Sequence, residues 1–290
     1  MIPAAFEYHR PSSVKDALKM LADLPDAKLL AGGHSLLPLM KFRLASPLHL
    51  IDLGRIDALR QIRAEGSTLV IGALATHWMV ESSESVKQHV PLLAETARKV
   101  GDVQVRNAGT IGGSVAHADP AADYPAALLA ADAKFVAEGP NGRRTLGVDG
   151  FFTGVFSTAL DPQEILTEVR LPFQDARTGT AYLKFAHPAS GFAVVGVAAA
   201  LTINGGRTAQ ARIGITGVGP AAFRPKAVEE LLTGKPLEAR SVAEAANLAA
   251  DGVDVNEDLF ASSEYRAHLA RVFTKRAVMQ AGERAGARSS

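Results

Sequence analysis

Two glycine clusters, Gly32-Gly33 and the block Gly109-Thr110-Ile111-Gly112-Gly113, limit this chain more than any other feature. Without a Cβ, glycine permits close approach and turns at positive φ, so each cluster reads as a loop between the apolar segments on either side. Ser13, with Asp16 three residues on, precedes Val14, Leu18 and Leu21, which predicts a capped amphipathic helix over residues 13–22. Lys28 to Ala31 and Leu48 to Leu53 read as buried strands, giving a small alternating α/β unit over residues 1–55.

Beyond it, Thr68 to Ala73 reads as a strand, Pro91 to Val100 as a helix with proline in its first turn, Ala126 to Ala133 as a short helix, and Ile165 to Leu171 as a strand stopped by Pro172. The chain turns polar around Gln174 to Gly179, which closes a mixed lobe over 56–176. In 177–290, Ala181 to Phe185, Phe192 to Ile203 and Arg212 to Val218 predict a small antiparallel sheet. Two helical segments follow. The second, after the capping serines Ser262 and Ser263, places Tyr265, Leu269, Val272 and Phe273 on one face, expected to be core. The fold class is therefore α+β.

Composition narrows the chemistry. With 47% hydrophobic and 21% charged residues the chain has the balance of a globular protein, and a net charge of +1 without a dense basic run argues against nucleic acid. There is no cysteine, which removes disulfides, thiolate nucleophiles, cysteine-ligated zinc and all-cysteine iron–sulfur clusters together. Redox chemistry here would need a bound organic cofactor. The stretch Met1 to Ser13 lacks the pattern of a secretory signal, and the longest apolar run, Phe192 to Leu201, is short of the ~20 residues that span a bilayer; a cytoplasmic protein without a transmembrane segment is expected.

The segment Ala31-Gly32-Gly33-His34-Ser35 lies between an apolar strand and the continuation Leu36-Leu37-Pro38. A glycine pair can take positive φ and aim successive backbone N–H groups at an anion, with the Ser35 hydroxyl as a further donor. It can equally be a tight strand-to-helix turn with His34 solvated. The second segment, Gln104 to Ser114 followed by Asp119-Pro120 and Asp123, sets three glycines among polar donors, as a pyrophosphate with a nearby ribose or ribityl diol would require. The competing reading is a bend between core elements, with Asp119 and Asp123 capping the next helix.

From end to end the sequence resembles the FAD-binding medium subunits of molybdenum hydroxylases, including aerobic carbon monoxide dehydrogenase and related xanthine and N-heterocycle dehydrogenases. The resemblance rests on Phe6-Glu7-Tyr8, Ala31 to Ser35, Ile51-Asp52-Leu53, Ile71-Gly72-Ala73, the Gln104 to Ser114 block and Ser263-Glu264-Tyr265-Arg266. It implies a two-lobed FAD-binding domain followed by a smaller α+β C-terminal domain with an antiparallel sheet. It also implies that Ala31, Gly32, Gly33, His34 and Ser35 hold the FAD pyrophosphate, with Leu36 and Leu37 continuing the contact. Thr110, Ile111, Gly112, Gly113 and Ser114 form the second FAD segment, Asp123 is an acidic FAD contact, and Leu166 and Lys184 lie beside the flavin. Many relatives carry asparagine at Ser114, and some carry a tyrosine near Phe192. The implied partners are a small iron–sulfur subunit and a large molybdenum-cofactor subunit, assembled as a dimer of heterotrimers. Neither a catalytic residue nor a metal ligand is expected on this chain.

Three rivals are weighed against that reading. A nicotinamide-binding Rossmann unit needs glycines spaced as G-x-G-x-x-G, and Gly32-Gly33 are adjacent. A stand-alone flavin oxidase or reductase needs a substrate site, yet no acid–base pair or nucleophile arrangement surrounds the two segments. A cofactor-free interaction subunit would not need glycines at both.

Overall fold

A computed structural model describes residues 2–289; the first and last residues of the outer segments expected from the sequence, 1 and 290, lie outside it. The N-terminal lobe runs β1 (Glu7–His9), α1 (Val14–Asp23), β2 (Ala27–Leu30), α2 (Leu36–Lys41) and β3 (His49–Asp52). Its sheet has the order β1-β3-β2 and is wholly parallel, with Glu7 opposite His49 and Ala27 opposite the same residue on the other side. Parallel neighbours need a crossover, which α1 and α2 supply. Helix α1 starts as expected: the Ser13 hydroxyl accepts from the Asp16 amide at 3.1 Å and donates to the Asp16 carboxylate at 2.6 Å. Ala17, Leu29, Ile51 and Leu53 make the core beneath it.

The second lobe carries β4 (Ile62–Glu65), β5 (Thr68–Gly72), helices α3 (His77–Ser82), α4 (Glu84–His89), α5 (Pro91–Ala97), α6 (Val103–Ala108), α7 (Ile111–His117) and α8 (Asp123–Ala130), then β6 (Lys134–Gly139), β7 (Gly142–Gly147), the small pair β8 (Phe152–Gly154) and β9 (Ser157–Thr158), and β10 (Ile165–Pro172). Its sheet runs β4-β5-β10-β6-β7, antiparallel throughout. Leu69, Ile71, Leu92, Ile111, Leu128 and Phe135 fill the core. Pro172 does not stop its strand before it; it is the last residue, opposite Thr68, where a missing N–H costs the ladder little. The glycine block is helical rather than a loop. Asp102 caps α6 through the Val105 amide at 2.8 Å, and Thr110 caps α7 through the Gly113 amide at 3.1 Å, so Gly112 and Gly113 lie in a first helical turn fixed by tertiary contacts.

The third segment forms the expected antiparallel sheet, β11 (Thr178–Ala186), β12 (Ala193–Asn204) and β13 (Arg207–Thr216), followed by α9 (Lys226–Leu232), α10 (Ala239–Ala246) and α11 (Ser263–Ser289). Alternation serves both faces: Tyr182, Ala198 and Ala200 join the second-lobe core, while Val197, Leu201 and Ile213 pack with residues of α9, α10 and α11. The buried stripe of α11 differs from the expected one. Leu269 is buried as expected, but Tyr265 is exposed and Val272 and Phe273 are only partly buried; Ala270, Thr274, Ala277, Val278 and Ala281 complete the core face. Small residues let this helix approach the sheet closely and push the large ones to the flank. Arg266 is buried at the start of α11, donating to the Val194 and Gly217 carbonyls at 2.8 and 2.9 Å and pairing with Asp258.

Candidate functional site

Ligands of α/β folds collect at the carboxyl ends of parallel strands. Here β2 ends at Leu30 and the chain turns through Ala31 to Ser35 into α2, opposite the start of α7. Between them lies a cleft of about 520 Å³, within the usual range of ligand sites. Of the residues singled out from the sequence, Ala31, Gly32, Gly33, His34, Ser35, Leu36, Thr110, Gly112, Gly113, Ser114, Asp123 and Leu166 line it. Leu37 packs behind Gly33, Ile111 is buried in the second-lobe core, and Lys184 reaches the site through Asp123.

The two glycine segments meet the cleft with different chemistry. At the first, Gly33 has φ +73°, a conformation that a side chain disfavours. The loop closes on its own carbonyls: the Leu37 amide donates to the Gly33 carbonyl at 3.2 Å, and His34 Nδ1 lies 3.0 Å from the Gly32 carbonyl. The amides of residues 32–36 donate to no acceptor among the described residues, and the Ser35 hydroxyl makes no capping bond. Such a run of unpaired N–H groups on a cleft wall suits an anion.

At the second, the amides are occupied. Ile111 donates to the Ala75 carbonyl at 3.0 Å, Gly112 to the Ala73 carbonyl at 2.9 Å, Gly113 to the Thr110 hydroxyl and Ser114 to the Thr110 carbonyl at 3.0 Å. Gly112 is required by proximity, since a Cβ there would lie 2.4 Å from the Ala73 Cβ. The two segments also touch each other: a Cβ on Gly32 would lie 2.2 Å from the Ala108 carbonyl oxygen.

Asp123 is nearly fully buried, at the first residue of α8. Its carboxylate accepts from the Tyr182 hydroxyl at 2.5 Å and from Lys184 Nζ at 2.8 Å, and Lys184 also donates to the Lys99 carbonyl at 2.9 Å. Burial pushes the Asp123 carboxyl above its ordinary range while the Lys184 ammonium and the Tyr182 hydroxyl pull it back; burial beside that carboxylate drives the Tyr182 phenol well up. Asp123 is therefore not a free acceptor but the centre of a closed triad. Tyr182 was missed in the sequence, although strand alternation puts it on the same face as Lys184 two residues on.

His77 was missed as well, and no local pattern marks it. It opens α3, lines the cleft, donates its backbone N–H to the Gly109 carbonyl at 3.0 Å and packs its ring against Tyr124. Burial lowers its pKa to about 4, with His34 and Arg106 contributing, so the ring is neutral at pH 7; its Nδ1 has no partner among the described residues. Phe192, which the sequence placed in a strand, precedes β12 and is half exposed on the rim of the cleft.

Two family models match the chain: the FAD binding domain in molybdopterin dehydrogenase over residues 4–174 and the CO dehydrogenase flavoprotein C-terminal domain over residues 180–281. The carbon monoxide dehydrogenase medium chain of Hydrogenophaga pseudoflava is 46% identical over 98% of this chain and 99% of the relative, and that of Afipia carboxidovorans is 38% identical over 98% and 99%. Among solved structures, carbon monoxide dehydrogenase from Hydrogenophaga pseudoflava lacking the Mo-pyranopterin moiety superimposes with a TM-score of 0.96 at 47% identity, covering 98% of this chain and 99% of that one.

Proposed function

This chain belongs to the family of FAD-binding medium chains of molybdopterin dehydrogenases, of the carbon monoxide dehydrogenase type, and from that premise we propose that it carries electrons from iron–sulfur clusters of a small partner to an acceptor outside the complex. It is an oxidoreductase subunit with FAD as its cofactor. Its residues fit that group. The unpaired amides of 32–36, with Gly33 in the left-handed region, form a cradle for a pyrophosphate, and this observation carries the reading.

In the proposed arrangement Ala31 to Ser35 bind the pyrophosphate, with Leu36 and Leu37 completing that turn, and Thr110 to Ser114 form the opposite wall. Asp123, held by Tyr182 and Lys184, lines the cleft as the polar end of its wall, and Leu166 and Lys184 border the ring system. FAD supplies the electron-carrying chemistry when bound. The protein's part is to orient it, exclude water with the apolar wall and hold a charge-balanced triad beneath it.

The chain has no cysteine for a conventional cluster, which fits a division of labour in which a neighbour holds the clusters. We assign that role to a small iron–sulfur subunit fed by a large molybdenum-cofactor subunit, in a cytoplasmic dimer of heterotrimers, with 1–55 and 56–176 as the FAD-binding lobes and 177–290 as the C-terminal domain. Among the described residues no helix is long and apolar enough to cross a membrane. Anaerobic stopped-flow spectroscopy tests the reading. Substrate should bleach the flavin absorbance rapidly in the reconstituted complex and not in the isolated FAD-loaded chain; equally fast bleaching in the isolated chain would make it a self-contained flavoenzyme.

A further inference from the structure

Three side chains able to ligate a metal converge on the N-terminal lobe, and none of them lines the cleft. Glu7 and His9 stand two residues apart on β1, and His49 is paired with Glu7 on β3, so alternation and parallel register put all three on one face of the sheet. His9 Nε2 lies 3.2 Å from His49 Nδ1, and Glu7 Oε2 lies 3.5 Å from His49 Nδ1 and 3.9 Å from His9 Nε2.

These separations have a chemical meaning. Around a tetrahedral ion with bonds of about 2.0–2.2 Å, neighbouring ligand atoms stand about 3.3 Å apart. Two sides of the observed triangle match that spacing closely, and the third closes with a movement of roughly half an ångström. A divalent cation would satisfy all three atoms at once; a proton shared between the imidazoles beside the Glu7 carboxylate is the alternative that the metal titration below separates from it. The rings are mostly buried, with side-chain exposures of 23% for His9 and 14% for His49, and so are held in place; the Glu7 carboxylate, at 74%, is free to close from the solvent side and leaves the remaining coordination position to water.

We propose that Glu7, His9 and His49 form a binding site for a zinc-class divalent ion that staples β1 to β3. Two imidazoles and one carboxylate suit zinc over magnesium or calcium, which prefer all-oxygen shells. The consequence is local: the ion ties a three-residue edge strand, otherwise held by one parallel neighbour, to the centre of its sheet.

The test uses the full FAD-loaded chain, stripped with a chelator and titrated with Zn²⁺ against a chromophoric competitor, beside His9→Ala, His49→Ala and Glu7→Gln variants. His268→Ala, at an exposed position on α11, is the control. Expected are one Zn²⁺ per chain, affinity at least tenfold weaker in each cluster variant and unchanged in the control, and a thermal midpoint that Zn²⁺ raises by a few degrees in the wild type and the control but not in the cluster variants. Retained FAD absorbance and circular dichroism establish that each variant is folded. Glu7→Gln, at a solvent-facing position, reports even if a histidine variant does not fold. Absence of stoichiometric binding in the wild type, or unchanged affinity in the folded cluster variants, overturns the proposal.

Discussion

The two glycine segments look alike in sequence and do opposite work in the structure. The first leaves a run of backbone amides, 32–36, open to the cleft and uses Gly33 at φ +73° to turn them there. The second has spent its amides on the Ala75, Ala73 and Thr110 acceptors, and its Gly112 serves a close approach to Ala73. Gly33 turns backbone toward a ligand, whereas Gly112, like Gly32 against the Ala108 carbonyl, lets the chain pack closely. Substitutions should therefore separate binding from stability.

The largest expected effect is at the packing glycine. In Gly112→Val the new Cβ would lie 2.4 Å from the Ala73 Cβ and 2.6 Å from its carbonyl oxygen, so the lobe must shift. A loss of about 3 kcal/mol or more is expected, as for severe overpacking, visible as a fall in the chemical-denaturation midpoint of the apoprotein. A variant as stable as the wild type would show that the second segment is not a packing joint.

Acid should attack the same joint. His77, whose amide holds the Gly109 carbonyl, has a folded pKa of about 4, below its usual value of 6.5, because of burial. A depressed histidine pKa means that the unfolded chain binds the extra proton more readily, so this contribution is fully present above about pH 6.5 and is lost as pH falls toward 4. The difference corresponds to roughly 3 kcal/mol. Urea denaturation across that window should show the decline, and His77→Gln should flatten it; an equally steep decline in the variant would place the titrating group elsewhere.

At the ligand-facing glycine the pattern reverses. Gly33→Val should cost about 1–2 kcal/mol of fold stability through its positive φ, with the flexible Leu37 side chain giving way, while FAD affinity falls about 100-fold as the amides are turned from the cleft. Fluorescence titration with FAD reads the second number. Retained affinity would make the first segment an ordinary turn. The smallest effect sets the floor for all of these. Arg240→Ala breaks an exposed i,i+4 pair with Glu244 on α10, far in sequence from either segment, and should change stability by no more than about 0.5 kcal/mol in the same denaturation assay.

How much of this was legible depended on where the determining contacts lie. Helix α1 announces itself through Ser13 and Asp16, and β10 to β13 through apolar runs, because those signals are local. Strand β1 carries no apolar alternation in Glu7-Tyr8-His9 and exists through its pairing with residues 49–51. The β6–β7 hairpin was overlooked although Pro140-Asn141-Gly142, with Gly142 at φ +95°, spells its turn. The glycine pair of α7 reads as a loop because propensity hides what Thr110 and Ala73 impose. In the site, the first loop was visible as a motif and Asp123 as an acceptor beside the second, while Leu166 and Lys184 entered by resemblance. Tyr182 could have been found from strand parity, and His77 could not, since its burial arises from residues distant in sequence.

Amide hydrogen exchange, resolved by residue, tests the contrast most directly. In the FAD-free protein the amides of 111–114 should already be protected and those of 32–36 should exchange rapidly; adding FAD should slow 32–36 strongly and leave 111–114 nearly unchanged. Protection of 32–36 before FAD is added, or a slowing on binding confined to 111–114, would contradict the assignment of the first segment as the anion cradle and the second as its structural wall.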